Sequence, residues 1–239
     1  MSPVHVVIGP RTQVGSALLE LLAGQDVVAV ARHERDVEAL AGLADARVVL
    51  AADAAGVVAP VADLVLHVCA LGPIHPEDPL PDDADRFEAE LAAIDALVGA
   101  TTGQVRIVLV STVIALAPTA DRRLYGGWKN LAEERLDRIA LHHGDRCTVS
   151  VLYPGRIIAP SERQGLGDRL SSTFENVAKK MLRETSRSPR RAIIGVDAKI
   201  WSALRALSLV VLTVRPSRTP ELTTTSPSTS TPHRPEATP

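Results

Sequence analysis

The chain is 239 residues long, 46% apolar and 23% charged, with a formal net charge of −2. That length and apolar share can bury one sizeable core, and about one domain is expected. The balanced charge leaves no footprint for a polyanion, and an aromatic content of 3% argues against the base-stacking platforms of nucleic-acid binders.

From the amino terminus, VHVVIGPRTQVGSALLELLAG reads as a short apolar strand, a tight turn and an amphipathic helix. Gly9 ends the strand and Gly15 opens the helix, so backbone amides and the helix dipole can face a diphosphate. Thr12 and Gln13 stand where a dinucleotide motif carries its middle glycine, and the backbone can approach a pyrophosphate less closely there. For this turn taken alone, a βα connection with helix-packing glycines is the structural alternative. No basic region with an apolar signal segment precedes the first strand, so export is not expected.

DVVAVARHERD reads as a second strand ending at Arg32, RVVLAADAAG as a third followed by Asp53, and ADLVLHVCALGP as a fourth carrying His67, Cys69 and Ala70. On a strand buried from both sides a lone His or Cys is a packed core residue rather than a ligand. Cys69 and Cys147 both fall on such strands and no zinc spacing is present, so reduced thiols in a cytoplasmic protein are expected.

QVRIVLVSTVIALAP is the fifth strand, CTVSVLYPGRI the sixth, ending in Pro154 and Gly155, and SPRRAIIGVDAKIWSALRAL a last strand and helix. IWSALRALSLVVLTV is apolar but short for a membrane span and is interrupted by Arg205, so a helix packed on the fold or in a subunit contact is expected. Beyond Arg215, residues 216–239 form a Pro/Ser/Thr tract without apolar periodicity, a predicted disordered tail behind a folded domain of residues 1–215. The alternation of strand and helix predicts an α/β fold: a Rossmann-like, doubly wound parallel sheet in three layers, with ligands at the carboxyl ends of its strands.

The chemistry centres on LYGGWKNLAEERL, where Tyr125 and Lys129 are four residues apart and share one helix face. A tyrosine titrating near about 10 trades protons near neutrality only if a fixed cation favours its phenolate. Lys129 can supply that charge, and the same ammonium can hydrogen-bond a ribose hydroxyl, placing a nicotinamide beside the phenol. A half-buried ring and a solvated charge are the plain alternative for the pair.

Taken in chain order, from about Val4 to about Leu207, these segments resemble the short-chain dehydrogenase/reductase superfamily. The resemblance implies a cofactor site at Gly9, Arg11, Thr12, Gln13, Val14 and Gly15, with Arg32, Asp53, Ala70, Pro154 and Gly155 added from later strand ends. Arg32 stands where NAD-preferring relatives carry an acidic residue, which with Arg11 implies a 2′-phosphate and hence NADP, with NAD the alternative. Asp53 matches a carboxylate that accepts from the adenine amino group, or else an ordinary helix N-cap. Thr112, thirteen residues before Tyr125, matches the hydroxyl that polarises a substrate carbonyl; Ser111 is one residue off, and adjacent strand residues face opposite sides. Glu133 completes a Tyr-x-x-x-Lys-x-x-x-Glu spacing similar to extended members, Trp128 replaces the usual serine, and Tyr153 replaces an arginine before Pro154-Gly155. The helix DADRFEAELAAIDALVGATT lacks the asparagine that holds the family's proton-relay water, leaving backbone groups or Glu90 in its place.

The implied activity is that of an NADP-dependent carbonyl reductase or alcohol dehydrogenase on a small ketone or alcohol, with Thr112, Tyr125 and Lys129 as its catalytic set. A homodimer or homotetramer is implied, with no nucleic-acid or membrane partner and no metal. An epimerase or dehydratase on the same scaffold, and a nucleotide-binding regulatory protein without turnover, are the alternatives.

Overall fold

The computed structural model describes residues 2–40, 42, 46–58, 63–73, 78–162 and 165–214. The predicted tail therefore lies outside the described residues. In chain order the strands are β1 (Val4–Ile8), β2 (Val27–Ala31), β3 (Arg47–Leu50), β4 (Leu64–Val68), β5 (Val105–Val110), β6 (Cys147–Pro154), the short β7 (Ile157–Ile158) and β8 (Ser172–Thr173), and β9 (Arg191–Ile194). The helices are α1 (Gln13–Leu21), α2 (Glu34–Leu40), α3 (Ala54–Val58), α4 (Asp83–Ala100), α5 (Val113–Leu116), α6 (Arg123–His143), α7 (Leu166–Leu170), α8 (Phe174–Glu184) and α9 (Val196–Val214).

Seven parallel strands form the central sheet in the order β3-β2-β1-β4-β5-β6-β9, and β7 pairs with β8 beside it. VHVVI, VVAVA and LVLHV are buried at every position, as strands covered on both faces must be. Their alternate side chains feed two cores. On one face Val6, Ile8 and Leu66 meet Phe87, Leu91 and Ile94 of α4 and Leu136 of α6; on the other, Val7 and Val108 meet Leu18 and Leu22 of α1 and its flank and Val177 and Met181 of α8. His5 and His67, on neighbouring strands, lie under that second layer with their rings stacked at 5.3 Å, and His67 and Cys69 are core residues as expected.

α8 is not among the elements expected from the sequence, although its signal is present there: Thr173 caps it by accepting from the Asn176 amide at 3.2 Å, and Val177, Ala178 and Met181 then fall on one buried face. Among the described residues no helix is long and apolar enough to cross a membrane. On α9, Ala198 is buried and Trp201 half-buried, while Val196, Ile200, Leu204 and Leu207 are exposed.

The strand order places β1 between β2 and β4, so the chain moves one way from β1 to β3 and then crosses back to continue from β4. Such a reversal opens a crevice at the carboxyl ends of β1 and β4, and the glycine turn after β1 sits in it.

Candidate active site

The turn that leaves β1 is tight for a steric reason. Gly9 has φ of +76°, and a Cβ there would lie 2.9 Å from both the Cβ and the backbone N of Ala70. A Cβ on Gly15 would lie 2.4 Å from the Gly9 carbonyl oxygen, so both positions need glycine. Thr12 locks the turn: its hydroxyl donates to the Gly9 carbonyl at 2.8 Å and accepts from the Gly15 amide at 3.0 Å, capping α1. Gln13 is exposed at the first position of the helix, while Val14 is buried in the second core.

This turn walls a cavity of about 550 Å³ shared with Ala70, Gly72, Asp36, Arg32 and Lys129. The two arginines expected to await a phosphate are both engaged by carboxylates. Arg11 pairs with Asp36 on α2, and Arg32 pairs with Glu90 on α4 and donates to the Gly72 carbonyl at 3.5 Å. Asp53 is exposed in the turn before α3 and lines neither this cavity nor the one described next.

A second cavity, of about 600 Å³, is lined by Thr112, Tyr125, Arg122, Gly155, Asp197 and Trp201 among others. Thr112 follows β5 and caps the short α5, accepting from the Ile114 amide at 3.3 Å, and its side chain is hydrogen-bonded to the Tyr125 phenol. Burial pushes the phenol up from its ordinary value, against which the Arg122 charge and the Thr112 hydrogen bond pull it down. The cation that favours the phenolate here is thus Arg122, a residue outside the catalytic set expected from the sequence. Lys129 Nζ instead lies over the Tyr125 ring, 5.9 Å from its centroid. Burial lowers the Lys129 ammonium to about 8, helped by Arg32 and opposed by Glu90 and Glu133.

Gly155 is a point of close approach, since a Cβ there would lie 2.4 Å from Asp197 Oδ2, which itself accepts from the Arg156 amide at 2.8 Å. Pro154 is buried at the end of β6. Behind the site, buried Glu133 accepts from Ser111 Oγ and from the Tyr153 hydroxyl, each at 2.6 Å, and Arg191 closes the group from β9. Tyr153, in the place of the family's arginine, therefore packs inward. Its hydroxyl and Arg191 hold Glu133, and Glu133 holds the end of β5 through Ser111.

No family model matches the chain, and no curated protein matches it in sequence. Solved structures match it in fold. An oxidoreductase of the short-chain dehydrogenase/reductase family from Burkholderia thailandensis is 20% identical and matches over 88% of this chain and 98% of its own, with a TM-score of 0.58. BdcA in complex with NADPH is 18% identical over 82% and 94%, with a TM-score of 0.60. A short-chain dehydrogenase from Burkholderia cenocepacia in complex with NADP is 16% identical over 90% and 98%, with a TM-score of 0.61. The chain has the fold of the short-chain dehydrogenases/reductases, as the order of its motifs implied.

Proposed function

We propose that the chain is an NADP-dependent carbonyl reductase or alcohol dehydrogenase acting on a small ketone or alcohol. One observation carries the reading: a single helix, α6, presents Tyr125 to the second cavity beside Thr112 and Lys129 to the first cavity beside the glycine turn.

The first cavity suits a dinucleotide. Gly9 and Gly15 let the turn close tightly against Ala70 and its own backbone, the amino end of α1 favours an anion, and Lys129, Arg11 and Arg32 add positive charge along the wall. When bound, the nicotinamide supplies the hydride. NADP is preferred to NAD because three arginines, Arg11, Arg32 and Arg35, rather than a carboxylate alone, line this cavity. Two solved structures of the same fold hold NADPH or NADP.

In the second cavity Thr112 hydrogen-bonds the carbonyl oxygen and Tyr125 gives it a proton, the Arg122 charge stabilising the phenolate left behind. Lys129, on the wall of the first cavity, binds ribose hydroxyls. Val113, Ile114, Ile157 and Trp201 give the cavity an apolar wall, which fits a ketone with a hydrocarbon body.

The test is a screen of carbonyl compounds with NADPH and NADH separately, followed by Tyr125→Phe. The variant should keep NADPH affinity, read from nicotinamide fluorescence, and lose about 10²–10⁴-fold in turnover, the usual worth of a positioned general acid. Unchanged turnover, or no binding of either nucleotide by the parent protein, overturns the reading.

A further inference from the structure

Arg32 and Glu90 come from opposite sides of the nucleotide crevice. Arg32 follows β2, Gly72 follows β4, Glu90 lies on α4, and β1 runs between β2 and β4. To reach Gly72 and Glu90 the guanidinium has to cross the carboxyl end of β1, where the glycine turn begins. There it pairs through Nε with Glu90 Oε1 and donates through Nη2 to the Gly72 carbonyl. The other carboxylate oxygen accepts from the Gly72 amide at 3.3 Å, so the pair is anchored on both sides. The Glu90 side chain is 11% exposed and that of Arg32 32%, so water screens this contact less than it screens a surface pair. Lys129 lines the same cavity, and the Arg32 charge acts on it.

We infer that Glu90 is a positioning residue that holds Arg32 as a latch across the crevice, between the glycine turn and Lys129, and that a dinucleotide binds only by breaking this pair. Every dinucleotide meets the same cost of parting a half-buried carboxylate from its cation. One that carries a phosphate on its adenosine ribose offers the freed guanidinium a new partner; one with a plain ribose offers none. The latch thus keeps the site closed to NADH while NADPH recovers what it loses. This inference rests on the dinucleotide reading proposed above.

A thermodynamic cycle tests it without any turnover. Dissociation constants for NADH and NADPH are measured by nicotinamide fluorescence for the parent chain, Glu90→Gln, Arg32→Gln and the double variant, with thermal melts confirming that each is folded. Glutamine keeps an acceptor for the Gly72 amide, and Arg32→Gln opens the same contact from its other side. Glu90→Gln should tighten NADH and NADPH alike, by about tenfold for a partly buried pair. Arg32→Gln should tighten NADH as much while giving NADPH no such gain. In the double variant NADH should bind no tighter than in either single one, because only one contact is there to break. An unchanged NADH constant in Glu90→Gln overturns the latch. So does an undiminished gain when Glu90→Gln is made on the Arg32→Gln background, which would mean that the carboxylate merely repels the nucleotide. If none of the four proteins binds either nucleotide, the dinucleotide reading falls and the latch with it; binding without these changes overturns the latch alone.

Discussion

Ser111 and Thr112 are neighbours at the end of β5, yet their hydroxyls have different partners: Ser111 Oγ donates to Glu133 at 2.6 Å, and Thr112 meets the Tyr125 phenol. The two substitutions should separate accordingly. Thr112→Val removes the hydroxyl beside the phenol and should cost about 10²-fold in kcat, as for loss of one donor to a developing oxyanion, together with about 0.5–2 kcal/mol for the lost cap of α5. Ser111→Ala leaves buried Glu133 with one donor fewer and should cost about 1–3 kcal/mol in denaturant unfolding while activity in the native protein persists. The reverse pattern would exchange the two roles.

Lys129 should give activity and stability opposite slopes in alkali. Its ammonium titrates near about 8 in the fold against 10.5 ordinarily, so between these values the unfolded chain binds the extra proton. Stability from this group is therefore lost as pH falls through about 8 and gained as pH rises toward 10.5. Over the same interval the proposed reductase loses the ammonium, so kcat/KM should fall as pH rises past about 8. Lys129→Met should abolish the residue's share of both trends, seen as a flatter difference in Tm between pH 8 and 10.

The buried histidine pair should set part of the acid limb. His67 is driven down to about 3 by burial and by His5, 3.0 Å away between Nδ1 of His5 and Nε2 of His67; His5 is also lowered by burial, with Asp26 opposing. Both must stay neutral in the fold, so their contribution is complete above the ordinary value of 6.5 and is lost as pH falls toward 3. His67→Leu, which also removes a buried Nδ1 with no partner among the described residues, should narrow the difference in Tm between pH 7 and pH 4. A difference as wide as in the parent chain would place the acid sensitivity elsewhere.

Gly126 and Gly127 are adjacent on α6 but should respond oppositely to alanine. A Cβ at 126 would lie 2.7 Å from Pro118 Cγ, whereas at 127 nothing among the described residues lies within 4 Å. Gly127→Ala should stabilise by about 0.5–1 kcal/mol through helix propensity. Gly126→Ala should cost about 1–3 kcal/mol through overpacking, and by pushing α6 away from Pro118 it should lower turnover as well. Denaturant midpoints and kcat for the two variants provide the comparison.

Much of the scaffold was legible in the residues themselves. Runs such as VHVVI, VVAVA and LVLHV lack polar alternation, and a strand of that kind is buried on both faces, which demands a parallel sheet between two helical layers. Helical periodicity put Tyr125 and Lys129 along one side of α6, and the glycine spacing placed a close turn after β1. What packing alone decided is who partners whom across elements. Arg11 and Arg32 meet Asp36 and Glu90 rather than open space, Arg122 rather than Lys129 acts on the phenol, and Asp53 stays outside both cavities. Periodicity reports the face a residue takes on its own strand or helix. The reach of a charged side chain toward another element depends on how the helices settle on the sheet, and no local spacing encodes that distance.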